Sequence, residues 1–183
     1  MNEKMLSKKL KLDEIDRQII TLVQSNPNLT HTQIAERINR SQPTVGMRIK
    51  KLEKSGILQF QPGINFKKVD LFLSVVSIST KNPGEIMEMA KYCPFMLNAF
   101  RVSGEHNICI LLASSRLDKL DKIVNYHFRK NPDVDKVSME IVEDFAKDFI
   151  YPIDFDSELN EPNDFEGCGD RCKYRLIKGE GKV

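Results

Sequence analysis

Residues 30–58, THTQIAERINRSQPTVGMRIKKLEKSGIL, carry the punctuation that decides the fold of the first third of the chain. Thr30 with Gln33 three residues later is a capping box, in which hydroxyl and amide each satisfy an orphan backbone donor at a helix start. Ile34, Ala35 and Ile38 then share one face of a short helix. After Asn39-Arg40, Ser41 stands at the next N-cap, and Pro43 falls in a first turn where a missing N–H costs little. Val45, Ile49 and Leu52 make the buried stripe of that helix, and Ser55-Gly56 stops it. Upstream, Leu12, Ile15, Ile19, Leu22 and Val23 recur at helical spacing over 12–25, and SNPN at 25–28 closes the segment. Asp13, Glu14 and Asp16 lie in its first turn, where the helix dipole favours negative charge. Three short helices joined this tightly predict a helix-turn-helix.

The third helix supplies the chemistry. Its outward positions read as Gln42, Thr44, Met47, Arg48 and Lys51, with Arg40, Ser41 and Lys50 flanking. Glutamine pairs with an adenine edge, arginine with guanine, and threonine or methionine touches a thymine methyl. Lys50 and Lys51 suit phosphates, which fix register without reading sequence. Charge agrees: residues 1–70 hold 13 Lys/Arg against 7 Asp/Glu, whereas the remainder holds 15 against 19. A basic module is what phosphate neutralisation requires. The segment ILQFQPGINFKKV at 57–69 alternates and turns at Pro62-Gly63, which predicts a β-hairpin wing with Lys67 and Lys68 near the DNA backbone. His31 in the capping box is expected to be exposed or packed locally, with a contact to DNA as the alternative.

Bulk properties narrow the rest. At 40% hydrophobic and 30% charged residues, the 183-residue chain has the composition of an ordinary soluble protein with one or two domains. No apolar run of about 18 residues spans a membrane, and the basic opening MNEKMLSKKLKL lacks the apolar core of a secretory signal, so the expected address is cytoplasmic. The four cysteines are then reduced thiols, metal ligands or redox groups. No Ser-His-Asp set, histidine metal pair, phosphate-cradling glycine loop or nucleophile elbow occurs, which argues against an enzyme.

Beyond residue 70 the pattern changes. LFLSVVSIST (71–80) reads as a buried strand. NPG (82–84) opens a helix with Ile86, Met87 and Ala90 that stops at Cys93-Pro94. MLNAFRVS and NICILLASS read as two strands around the turn Gly104-Glu105-His106. Leu117, Leu120, Ile123, Val124 and Phe128 mark a second helix, with His127 on its surface, and VDKVSMEIV (134–142) a last strand. The order βαββαβ predicts a ferredoxin-like domain, one sheet with two helices on one face. The fold class is α+β: a winged helix-turn-helix over 1–62, a ferredoxin-like domain over 63–150, and a cysteine-containing extension over 151–183.

The first domain resembles a known family. The opening Leu12-Asp13-x-x-Asp16, Ile34-Ala35 before the turn, Ser41-x-x-x-Val45 and the exit Arg48-Ile49-x-x-Leu52-Glu53-x-x-Gly56-Ile57 are similar to the DNA-binding domain of the archaeal and bacterial Lrp/AsnC (feast/famine) regulators. The resemblance implies a transcription regulator on double-stranded DNA, a homodimer or larger homo-oligomer, and a second domain that frequently binds amino acids. It also implies an effector pocket near the second turn, where the family carries Gly and usually an aromatic then Asp. Gly104 matches, Glu105 follows it, and His106 and Asn107 stand where the aromatic and the carboxylate are expected. The lost carboxylate weighs against an ordinary amino-acid ligand, and a plain hairpin turn at 104–107 is the alternative. A protein that coats DNA without switching is the alternative to a regulator; the ratio of specific to non-specific affinity separates them.

The tail departs from the family. Residues 144–166 carry eight acidic side chains against one lysine, with Pro152 and Pro162, and read as an acidic connector. Cys168-Gly-Asp-Arg-Cys172 follows, with Arg171 and Lys173 favouring thiolates. Zinc or another thiophilic metal, a redox role and no special chemistry all remain open readings. Tetrahedral zinc needs four ligands, so the missing two come from a second subunit or from Cys93 and Cys109. Of those, Cys109 in an apolar strand is expected in the core and Cys93 at a helix end is expected to be more open.

Overall fold

The computed structural model describes residues 3–153, together with 155 and 179. Cys168 and Cys172, and with them the tail site read from the sequence, lie outside the described residues. The chain divides into two compact units, Met1–Gln61 and Pro62–Val183.

The first unit is helical. α1 (Glu3–Lys9) precedes α2 (Glu14–Ser25), α3 (His31–Ile38) and α4 (Gln42–Lys54). Each boundary has a chemical cause. Asp13 caps α2 and accepts from the Asp16 amide at 2.9 Å, while the Asp16 carboxylate receives the Asp13 amide. Thr30 and Gln33 cap α3 in the same reciprocal way, at 3.2 and 2.9 Å. Asn39 ends α3 in the left-handed conformation, φ 53°, which asparagine tolerates better than most residues. Ile19, Ile34 and Val45 are fully buried between the helices, with Val23, Ile49, Leu52 and Leu58 around them. Burial of each such side chain stabilises the unit by about 1.5–3 kcal/mol.

The second unit is a four-stranded antiparallel sheet in the order β3-β4-β2-β5, formed by β2 (Phe72–Thr80), β3 (Met96–Arg101), β4 (Ile108–Ser114) and β5 (Val134–Ile141). The helices α5 (Pro83–Ala90) and α6 (Leu117–Val124) pack on one face. Alternation sets the faces: Val76 and Ile78 of β2, opposite Ile110 and Ile108 of β4, join Ile86, Met89, Leu120 and Ile123 in the core. This is the expected ferredoxin-like order. A π-helical turn, Asn125–Arg129, extends α6 and drives Phe128 fully inside. His127 is buried there as well, rather than on the helix surface as its position in the sequence suggested.

The opposite face of the sheet is partly strapped. β1 (Ile64–Asn65) pairs antiparallel with β6 (Ile150–Tyr151), and Phe66, Phe145, Phe149 and Tyr151 cluster over Leu73 and Ala113. Beyond the strap lie Ser77, Cys109 and Phe100, which share this face by register; Phe100 is 43% exposed. The expected hairpin wing does not form. Residues 57–63 contain no strand, and β1 spends its hydrogen-bonding edge on β6 in the second unit. Lys67 donates to the Phe145 carbonyl at 2.6 Å, so its ammonium is engaged within that unit. The cysteines also exchange their expected places. Cys93 closes onto the helix-side core, while Cys109 is half-buried on the other face, where desolvation raises its thiol above the usual range.

Candidate nucleic-acid interface

α4 is held by its buried stripe and presents the opposite side outward. Gln42, Lys50 and Lys51 are exposed, Thr44 is half-buried, and Met47 is 68% exposed although it is a large apolar side chain. An exposed methionine between cations offers dispersion to an apolar partner group, and a thymine methyl is such a group. Arg40 sits exposed at the turn into the helix and donates to the Asn39 carbonyl at 2.9 Å. Ser41 occupies the N-cap position but gives no side-chain cap; its hydroxyl instead meets the Thr44 hydroxyl at 2.8 Å. Pro43 in the first turn removes one of the donors such a cap would have satisfied.

Arg48 is placed differently from its neighbours. Its Nη1 donates to Asp13 Oδ2 at 2.6 Å and to Asp16 Oδ1 at 2.8 Å, so the guanidinium faces α2 rather than solvent. Asp16 is only 2% exposed. The pair of bonds holds the Asp13 carboxyl below the usual carboxylate range and raises the guanidinium above its ordinary value, the hydrogen bond between them being the main cause of both. Reading a base with Arg48 would require breaking both contacts and leaving a buried carboxylate without its cation. The expected outward, guanine-reading Arg48 is therefore corrected to a strut between α2 and α4. The signal was present in the sequence: Asp16 falls in phase with Ile19 and Val23 on the buried stripe of α2, where an acid calls for a cation.

A second contact escaped the sequence reading. His31, the first residue of α3, packs against α4 at Gly46, where a Cβ would stand 3.3 Å from the imidazole Nδ1.

The turn singled out in the second unit is also built for more than display. Gly104 takes φ +133°, open to glycine and strained for other residues. Glu105 pairs with Lys136 at 2.5 Å, which lowers the carboxyl and raises the ammonium from their usual values. Asn107 gives its amide to the end of β2: Oδ1 accepts from the Thr80 N–H at 3.1 Å and Nδ2 donates to the Thr80 carbonyl at 2.7 Å. It is thus a lock on the sheet, with both amide groups engaged. His106 is half-buried beside it.

Residues 12–59 match the family described as winged helix-turn-helix DNA-binding. Over 123 residues the chain is 32% identical to the HTH-type transcriptional regulator PH0140 of Pyrococcus horikoshii, an alignment covering 64% of this chain and 77% of that protein. It is 27% identical over 135 residues to the HTH-type transcriptional regulator LrpA of the same organism, covering 72% and 96%. The chain belongs to the Lrp/AsnC family. It is accordingly a DNA-binding transcription regulator with an N-terminal helix-turn-helix. Solved Lrp/AsnC structures share its fold. Escherichia coli AsnC superposes with a TM-score of 0.64 at 17% identity, over 74% of this chain and 95% of that one. The Neisseria meningitidis regulator NMB0573, solved as a complex with L-Met, gives 0.67 at 21% identity, over 74% and 92%.

Proposed function

We propose that this Lrp/AsnC regulator reads a specific DNA sequence by laying α4 in the major groove, as one half of a two-fold assembly, and that a small amino-acid-like effector acts through its second unit. The exposed face of α4 carries the reading, with Met47 the decisive observation, because a large apolar side chain is left 68% exposed on the same region of the helix face as Gln42, Lys50 and Lys51. Gln42, Thr44 and Met47 take base edges; Arg40, Ser41, Lys50 and Lys51 take phosphates; Arg48 holds the helix in place. Support for an effector comes from the turn 104–107 and from the L-Met bound to the Neisseria relative. With the Asn107 amide engaged by Thr80, the ligand contact passes to His106 and the backbone of the turn.

Binding-site selection followed by titration at several salt concentrations tests the reader. Gln42→Ala and Met47→Ala each weaken the best site by about 1–3 kcal/mol and blur its sequence preference. Lys51→Ala weakens all sequences evenly and flattens the salt slope by about one unit. If all three variants bind every sequence as the wild type does, α4 is not the reader.

A further inference from the structure

The contact between His31 and Gly46 puts an imidazole on the shoulder of the reading helix. On α4, Gln42 and Lys50 lie one turn before and after Gly46, so the ring borders the same stripe that approaches DNA. The first helix of a helix-turn-helix crosses the phosphate backbone while the second enters the groove. α3 is that first helix, and His31 opens it. The absence of a side chain at Gly46 is what lets the ring lie there: any Cβ would press on Nδ1.

Around Gly46, α4 brings Lys50 and the neutral Gln42. On α3, Thr32, Gln33, Ile34 and Ala35 follow His31, all uncharged, before the exposed Glu36 and Arg37 of the last turn. The preceding loop, Asn26 to Thr30, and the last turn of α2, Leu22 to Ser25, add no ionisable group. Apart from the last turn of α3, these stretches contribute Lys50 and no carboxylate, and a phosphate is a counter-ion suited to a cation placed here.

We propose that His31 contacts a DNA phosphate as its imidazolium, so that duplex binding favours the protonated form of this ring. The inference rests on the reading of α4 as the groove helix and adds a binding residue and a pH dependence to it. Histidine is the side chain whose ordinary titration range includes the pH of the cell, so the contact strengthens as pH falls. Because it touches backbone, it acts on every sequence alike.

Fluorescence anisotropy with a labelled duplex of arbitrary sequence, at constant ionic strength between about pH 8 and about pH 5.5, reads it directly. The full-length wild type should bind roughly three- to tenfold tighter at the acid end, with a salt slope steeper by about 0.9 there. His31→Asn should match the wild type at the alkaline end and lose the acid gain. His31→Lys, a permanent cation, should bind tightly at both ends. Melting curves establish that each variant is folded. Acid gain that survives in His31→Asn, or an equal loss of affinity at both ends, overturns the proposal while leaving the α4 reading intact. A wild type that binds no duplex at any pH overturns both.

Discussion

A carboxylate that is 2% exposed, as Asp16 is, would cost several kcal/mol without a cation, and Arg48 is the cation the fold provides. Replacing Arg48 by alanine leaves Asp16 buried and alone. Because the guanidinium side of the pair is still partly open to water, the expected loss is about 2 kcal/mol rather than the larger figure for a dry pair. Urea unfolding should show it as a lower midpoint. An unchanged midpoint together with blurred DNA preference would return Arg48 to base reading. Acid sensitivity follows from the other carboxylate. The Asp13 carboxyl is held below its usual range in the folded chain, so its contribution is complete above about pH 4 and is lost as the pH falls through the lowered value. Unfolding curves between about pH 5 and about pH 2.5 should show Asp13→Asn losing less stability than the wild type over that interval. Residue identities were legible here and their directions only in part. A cation on a helix reads as solvated or DNA-facing by spacing, and only the out-of-place Asp16 hinted that Arg48 turns inward.

At the scale of elements, the turn from β3 to β4 is tied to the end of β2 through Asn107, 27 residues away in sequence from its partner Thr80. Asn107→Ala removes two hydrogen bonds to Thr80 and leaves a peptide at the sheet end less well paired, which should cost about 1–2 kcal/mol. His106→Ala should leave the melting temperature in place and abolish the heat of amino-acid binding in calorimetry. If the effector heat disappears in Asn107→Ala with no change in stability, the amide is the ligand contact instead. Helices and strands of both units were readable because their signals are local. Thr30 and Gln33 cap a helix three residues apart, and the alternation of 72–80 names a strand whatever its partner. The pairing of Ile64-Asn65 with Ile150-Tyr151 was not readable, since periodicity does not name a partner so far along the chain. Gly63 looked like a hairpin turn for the same reason. Its role is close approach: a Cβ there would stand 2.6 Å from the Tyr151 carbonyl carbon, and backbone does not give way as a side-chain tip does.

The whole molecule works, on our reading, as a pair. Two-fold regulators present two reading helices to successive major grooves, about 34 Å apart. Among the described residues, no element of the second unit straps the part of the sheet face that carries Ser77, Cys109 and Phe100; it offers a surface for that pairing, in which an isologous contact buries the same patch of both chains. Phe100→Glu puts a carboxylate from each chain into that contact and should yield monomers in sedimentation at micromolar concentration, with loss of two-site footprints. We propose that any metal chemistry of the tail sequence depends on the same step. Two thiols per chain, Cys168 and Cys172, cannot close a tetrahedral site, whereas two chains supply four. Cys93 is not an available third ligand, because it is buried in the helix-side core. Protein purified without chelator should thus carry one thiophilic metal per two chains by elemental analysis, and Cys168→Ser with Cys172→Ser should carry none. Since thiolates bind metal only when deprotonated, the metal should dissociate as pH falls. The Phe100→Glu monomer keeps both thiols and should nevertheless lose the metal. A monomer that holds one metal per chain would show that each tail closes its own site, and a wild type free of metal would leave the tail outside metal chemistry.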